Sequence, residues 1–309
     1  MLNQFLTSKD RQAEVELQKK ALNFDWYAQA GPDLQKRLAF ANTVYEGIMQ
    51  QIDETNPIPL IFNVRPGSLG TRIRVKEISG AKVYERAYGE FKRVSRLRAS
   101  VHTITTMSRA LHLEETVEEL KAGIVTTSDL IEAGRLAVLR DKIGLMRTTM
   151  EAAIGTSSAY ATDYGAALSQ SELDTEIKAV AATKEVGAIL GPMGVLQGIT
   201  EFAGYDGSTG YAESVKEELH RRGMLGVYRG IPVIAIRNSQ DEAYGNVDLW
   251  STTDIWICPA DRSFTRFAEE QGATQTSRVQ PDDGTFHLYI DYRDGAALWK
   301  TAWFRRLYS

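Results

Sequence analysis

Apolar positions fall into three regimes along the chain: helical spacing first, then alternation between about Leu69 and Met107, then short apolar runs separated by helices. At the start, Thr7 or Ser8 caps a predicted helix through KDRQAEVELQKKALNFDWYAQA, and Gly31-Pro32 stops it. A second helix begins near Asp33. Leu34, Leu38, Val44 or Tyr45, Ile48 and Ile52 keep its period, and the prolines of NPIP favour extended chain after it. From Leu69 to Met107 polar and apolar residues alternate, with Ser79-Gly80 and Gly89 as turns, which predicts a long two-stranded β excursion.

Helical spacing returns with LEETVEELKAG, whose early turns carry Glu114, Glu115, Glu118 and Glu119 and which Gly123 ends. A longer helix follows in TTSDLIEAGRLAVLRDKIGLMRTTMEAAIG. Thr127 or Ser128 caps it, Asp129 and Glu132 suit its positive end, and Gly155 closes it. Ile131, Leu136, Leu139, Ile143, Met146, Met150 and Ile154 form its apolar stripe. About 26 residues at 1.5 Å rise make a rod of roughly 39 Å, long for a compact domain.

The small, polar stretch GTSSAYATDYGAALSQS reads as a domain boundary. Beyond it come a helix through ELDTEIKAVAATKEVG, a strand AIL, a helix opening near Pro192, a helix carrying Tyr211, Val215 and Leu219, and a strand IPVIAIRN. That alternation is an α/β layer arrangement. The tail returns to strands in DIWIC, TFHLYIDY and AALWKTAWFRRL, with Asp294-Gly295 as a hairpin turn and Asp282-Asp283 as turn formers.

Composition adds limits. With 309 residues, 43% hydrophobic and 25% charged, the chain is ordinary for a globular protein of one large or two smaller domains. A net charge of −4 argues for neither nucleic acid nor membrane. Charge is unevenly placed, however. Arg72, Arg74, Lys76, Lys82, Arg86, Lys92, Arg93, Arg96 and Arg98 face only Glu77, Glu85 and Glu90 within the β excursion, a net of +6 that leaves −10 for the rest. The lone Cys258 excludes an internal disulfide and suits a reducing compartment; its apolar neighbours predict a core side chain. No apolar run approaches the roughly 20 residues of a membrane span, and the N-terminus carries no signal-peptide pattern, so synthesis and assembly in the cytosol are expected.

Chemistry is sparse. GPMGVLQG lacks the lysine and spacing of a phosphate cradle. His102, His112, His220 and His287 are scattered and form no metal-binding motif, so no metal or cofactor is expected. The four glutamates read as a solvated helix face, or as an acidic surface for another subunit. The basic ribbon has three readings: phosphate binding, a solvated ribbon, or an arm laid over an acidic neighbour.

One stretch is dense in structural instruction and has no catalytic group: ESVKEELHRRGMLGVYRGIPVIAIRN. It resembles a segment of tailed-phage major capsid proteins, in which a helix ends in a basic residue and glycine, a short hydrophobic-Gly-x-Tyr strand follows, and Gly-hydrophobic-Pro-Val opens the next strand. Gly223, Gly226, Tyr228, Gly230, Pro232, Val233 and Asn238 hold the matching places. The order of elements from about Leu60 to the end is similar too. The resemblance implies an α+β fold of the Hong Kong ninety-seven type. Its parts are an N-terminal helical arm (1–60), an extended β-hairpin loop (61–110), a peripheral domain with a long spine helix (111–164 and 285–309) and an α/β axial domain (165–284). Loops near 204–210 and 238–246 are then candidates for contacts at the symmetry axis.

The function implied is that of a structural shell subunit, not an enzyme, with no catalytic, cofactor or metal residues to carry over. Copies would form pentamers and hexamers of an icosahedral head around double-stranded DNA, touched non-specifically. The chain shows no long N-terminal scaffolding region, so a separate scaffold protein, or none, is implied, together with a portal and no membrane. Lys76, Lys82 and Lys92 lie in the loop, but spacing identifies no partner asparagine and no crosslink is expected. The charge asymmetry leads to the expectation that the +6 loop docks on acids of an adjacent subunit, Glu114 to Glu119 among them. An encapsulin-type compartment, which shares the fold, is the alternative, with a DNA-binding protein using the basic hairpin behind it.

Overall fold

The computed structural model describes residues 44–50, 52, 56–68, 73–79, 98–116, 119, 122, 124–207, 224–236, 250–271, 274–280 and 285–309. The helix expected through residues 9–30, the one carrying Tyr211, Val215 and Leu219, and the Asp282-Asp283 turn lie outside the described residues. Helix α1 runs through residues 44–50, and Val44, Ile48 and Ile52 are buried at the predicted spacing. The prolines after it do not give extended chain. Pro57 sits in the helical region at φ −77°, ψ −13° and starts the short helix α2, Ile58–Ile61. Proline's missing N–H is no loss in a first helical turn, and Asn56 accepts a hydrogen bond there from the Ile58 N–H.

Two sheets and one long helix organise the rest. Strands β1 (Asn63–Ser68), β2 (Ile73–Ser79), β3 (Arg98–Ile104) and β4 (Met107–Thr116) come first. Helix α3, Thr127–Ala153, follows. Then come β5 (Ala161–Asp163), α4 (Gln170–Ala181), β6 (Val186–Pro192), α5 (Met193–Ile199), β7 (Tyr205–Asp206), β8 (Met224–Tyr228), β9 (Ile231–Ile236) and β10 (Ile255–Pro259). β11 (Thr265–Gln271), β12 (Thr274–Gln280), β13 (Thr285–Leu298) and β14 (Arg305–Tyr308) complete the described strands. One sheet has the order β5-β14-β10-β6-β9-β8-β7. In the other, β4 lines one edge of β13, β12 and β11 follow one another along its other edge, and β1 adds in parallel to β11.

The central strands of the seven-stranded sheet are buried on both faces, and alternation along them sorts the core. Ala188, Leu190, Ile234, Ile236, Trp256 and Cys258 face the second half of α3 through Ile143, Met146, Met150 and Ile154. Ile189, Val233, Ala235, Ile255 and Ile257 face α4 and α5 through Leu173, Ile177, Leu196 and Ile199. The first half of α3 presents Leu130, Ile131 and Val138 to Leu113 of β4 and to Leu288 and Ile290 of β13, with α1 beside them. One helix therefore covers both sheets. Burial at about 1.5–3 kcal/mol per large apolar side chain outweighs its propensity differences of a few tenths, so packing decides its length. Its cap is Thr126, one residue before the predicted choices. The Thr126 side chain accepts from the Asp129 N–H while the Asp129 carboxylate accepts from the Thr126 N–H. At the other end Arg306 of β14 donates to the Ile154 carbonyl at 3.0 Å and to Asp254 at 2.6 Å.

Three expectations are corrected. Glu114 and Glu115 do not open a helix: β4 carries on to Thr116, because Leu111 and Leu113 supply the inward positions of a strand against α3. Asp294-Gly295 is not a turn: β13 runs straight through it, paired with Met107 on one side and Glu269 on the other. Asp294 is 2% exposed, and its oxygen lies 3.9 Å from the Lys142 ammonium, which also donates to Glu269 at 2.6 Å. Finally, the small, polar stretch after α3 is not only connection: it contains β5, paired in parallel with β14.

Candidate assembly surfaces

The basic ribbon begins as predicted. β2 and β3 pair antiparallel from Ile73↔Ile104 to Ser79↔Arg98, and among the described residues no third strand joins this two-stranded unit. Its base is tied to the body: Ile104 is buried and the His102 ring stacks on Trp299 at 5.0 Å. Farther out, Arg98, Ala99, Ser100 and Val101 are exposed in succession, so both faces of β3 are uncovered, with Val101 at 57%. A lone two-stranded ribbon is marginal in water, and its open edges invite pairing or cover. Arg74 and Arg98 are exposed; Lys76 pairs through its backbone with Val101. Arg72, Lys82, Arg86, Lys92, Arg93 and Arg96 lie outside the described residues. Met107 and Ile124 add apolar exposure of 59% and 71%.

The glutamates do not share one face. Glu114 stands on the side of β4 turned from α3, while Glu115 is on the α3 side and half-buried. Glu119 lies on the next turn, where Thr116 donates to it at 2.7 Å. A hydrogen bond from Glu115, then one from Thr116, holds the Glu119 carboxyl below its usual range; the same Glu119 contact pushes Glu115 up. Glu118 lies outside the described residues.

On the outward face of β4 and β13, two of the supposedly scattered histidines meet. His112 Nε2 is 3.0 Å from His287 Nδ1, and Glu114 lies beside both. Sequence carried no signal for this: the two are 175 positions apart, and only the β4–β13 register brings them together. Cys258 is in the core, where burial alone pushes its thiol up to about 12.

The glycine-rich motif shapes the seven-stranded sheet. Arg229 and Gly230, at φ 50° and 83°, form the two-residue turn between β8 and β9, a conformation that glycine adopts without strain. Tyr228 is fully buried and donates to Asp174 at 2.9 Å. Gly226 lies against β7, where a β-carbon would come within 2.7 Å of the Tyr205 hydroxyl. Pro232 faces Val227 across the pair. Gly223 and Asn238 are outside the described residues.

No family model matches the chain, and no curated protein matches it. Solved structures do. The capsid of a native GTA particle is 12% identical, over 82% of this chain and 90% of that one, at a TM-score of 0.53. The capsid of cyanophage P-SCSP1u is 10% identical over 80% and 86%, also at 0.53. A virus-like particle from Pyrococcus furiosus is 12% identical over 85% and 96%, at 0.50. At these identities the likeness is one of fold: the chain has the mixed α+β coat fold of tailed-phage heads.

Proposed function

We propose that this chain is a major capsid protein, a virion component whose activity is assembly: copies form pentamers and hexamers that close an icosahedral head. The observation that carries this is the likeness of 82% of the chain, at full-domain scale, to a subunit solved within an assembled capsid. The outer part of β3, exposed on both faces, supports it, since a neighbouring copy supplies the cover that the chain's own described residues do not.

In this account the β2–β3 ribbon lies over the adjacent subunit and its basic residues meet acids there, Glu115, Glu118 and Glu119 with Glu114 beside them. The arm is 1–60, the loop 61–110, the peripheral domain 111–164 and 285–309, and the axial domain 165–284. β11 and β12 pair in the five-stranded sheet with β13, and β14 pairs in the seven-stranded sheet. Packaged double-stranded DNA, a scaffold and a portal are the further partners proposed, and the host cytoplasm is the site of assembly. Velocity sedimentation of the overexpressed chain tests the proposal. Capsomers or closed shells are expected; a 34.4 kDa monomer under every condition would overturn it.

A further inference from the structure

His287 on β13 stands directly opposite Glu114 on β4, and Tyr289 directly opposite His112. Side chains alternate along strands, so these four project from one face, the face opposite Leu111, Leu113, Leu288 and Ile290. Nε2 of His112 is 3.0 Å from Nδ1 of His287. A Glu114 carboxylate oxygen lies 4.0 Å from the first nitrogen and 3.8 Å from the second. Tyr289 stacks on the His112 ring at 4.3 Å and 8°, which sets the plane of that imidazole.

We propose that His112, His287 and Glu114 bind a divalent cation of the zinc class, with water in the fourth position. Tetrahedral ligands about 2.0–2.1 Å from zinc are about 3.4 Å from one another. The two nitrogens must open by a few tenths of an ångström, and the carboxylate must close by about half an ångström. The exposed partners can make those movements: the Glu114 side chain is 55% exposed and His112 40%, while His287, at 10%, is held by the sheet. The exposed side is the route for cation and water. Two imidazoles with one carboxylate favour zinc and its neighbours over the oxygen-seeking magnesium and calcium.

The contact between the rings requires one nitrogen to donate and the other to accept. A cation there takes the lone pairs of His112 Nε2 and His287 Nδ1 in place of that shared proton, and its charge is partly offset by Glu114. Nε2 of His287, buried without a hydrogen bond, then carries that ring's proton.

This site does not depend on the shell reading. Glu114 is among the acids proposed to receive the ribbon, so the test uses unassembled subunits, in which no ribbon docks. The full chain, stripped with a chelator, is titrated with Zn²⁺ by calorimetry, with Mg²⁺ and Ca²⁺ run alongside. One Zn²⁺ per chain is expected, with no measurable binding of the other two. His112→Gln and Glu114→Gln, both at exposed positions that leave the core intact, should each weaken zinc roughly tenfold or more. His102→Gln, on the stacked pair at the ribbon base, should leave the affinity unchanged. Absence of a saturable site at one per chain overturns the proposal. So does wild-type affinity in both the His112 and Glu114 variants, or an equal loss in the His102 variant.

Discussion

A β-carbon on Gly295 would sit 2.5 Å from the Thr105 carbonyl oxygen and 3.1 Å from Thr106 Cα. These are backbone atoms of the segment joining ribbon to sheet, and they cannot swing aside. Gly295→Ala should therefore destabilise the subunit by about 1–3 kcal/mol, read as a lower denaturation midpoint at unchanged slope; an unchanged midpoint would remove this contact from the account. Next to it, burial pushes the Asp294 carboxyl up to about 6, with Glu269 and Asp141 adding to the push and Lys142 and Arg109 opposing it. The folded chain thus holds this proton more tightly than the unfolded chain, where an aspartate titrates near about 4. Asp294 favours folding at acid pH and loses that contribution as pH rises from about 4 through about 6. Relative to wild type, Asp294→Asn should gain on the order of 2 kcal/mol between pH 4 and 7, measured as the difference between two denaturation curves at each pH. A difference that stays flat contradicts a buried, protonating carboxyl.

At the scale of elements, the exposed ribbon is where assembly is most easily attacked. Reversing Arg72, Arg74, Arg96 and Arg98 to glutamate should abolish shells and leave folded subunits with an unchanged circular dichroism spectrum. Normal shells at both low and moderate salt would contradict electrostatic docking, because exposed ion pairs weaken with screening while apolar contacts do not. The ribbon was legible in the sequence because alternation is a local signal, and α3 was legible because its stripe runs through 27 residues. Asp294-Gly295 was not. The same dipeptide serves a hairpin turn or a close backbone approach, and only Thr105, far away in sequence, decides which. Glu114 and Glu115 misled for a similar reason. Glutamate favours helix locally, yet Leu111 and Leu113 gain more by facing α3 from a strand.

For the whole molecule, the organising fact is that α3 packs its first half on the five-stranded sheet and its second half on the seven-stranded one. The order of elements could be taken from sequence, but which strands share a sheet could not. β14 follows β13 closely along the chain and lies in the other sheet, a choice made by long-range pairing and by the Arg306–Asp254 contact at the end of α3. The His112–His287 pair was hidden for the same reason. The coat fold, joined to the outer part of β3 exposed on both faces, points to assembly, and negative-stain electron microscopy of the purified, overexpressed chain shows directly whether it occurs. Hollow shells or five- and six-fold capsomer rings are expected. A uniform population of small monomers across salt, pH and concentration would contradict it.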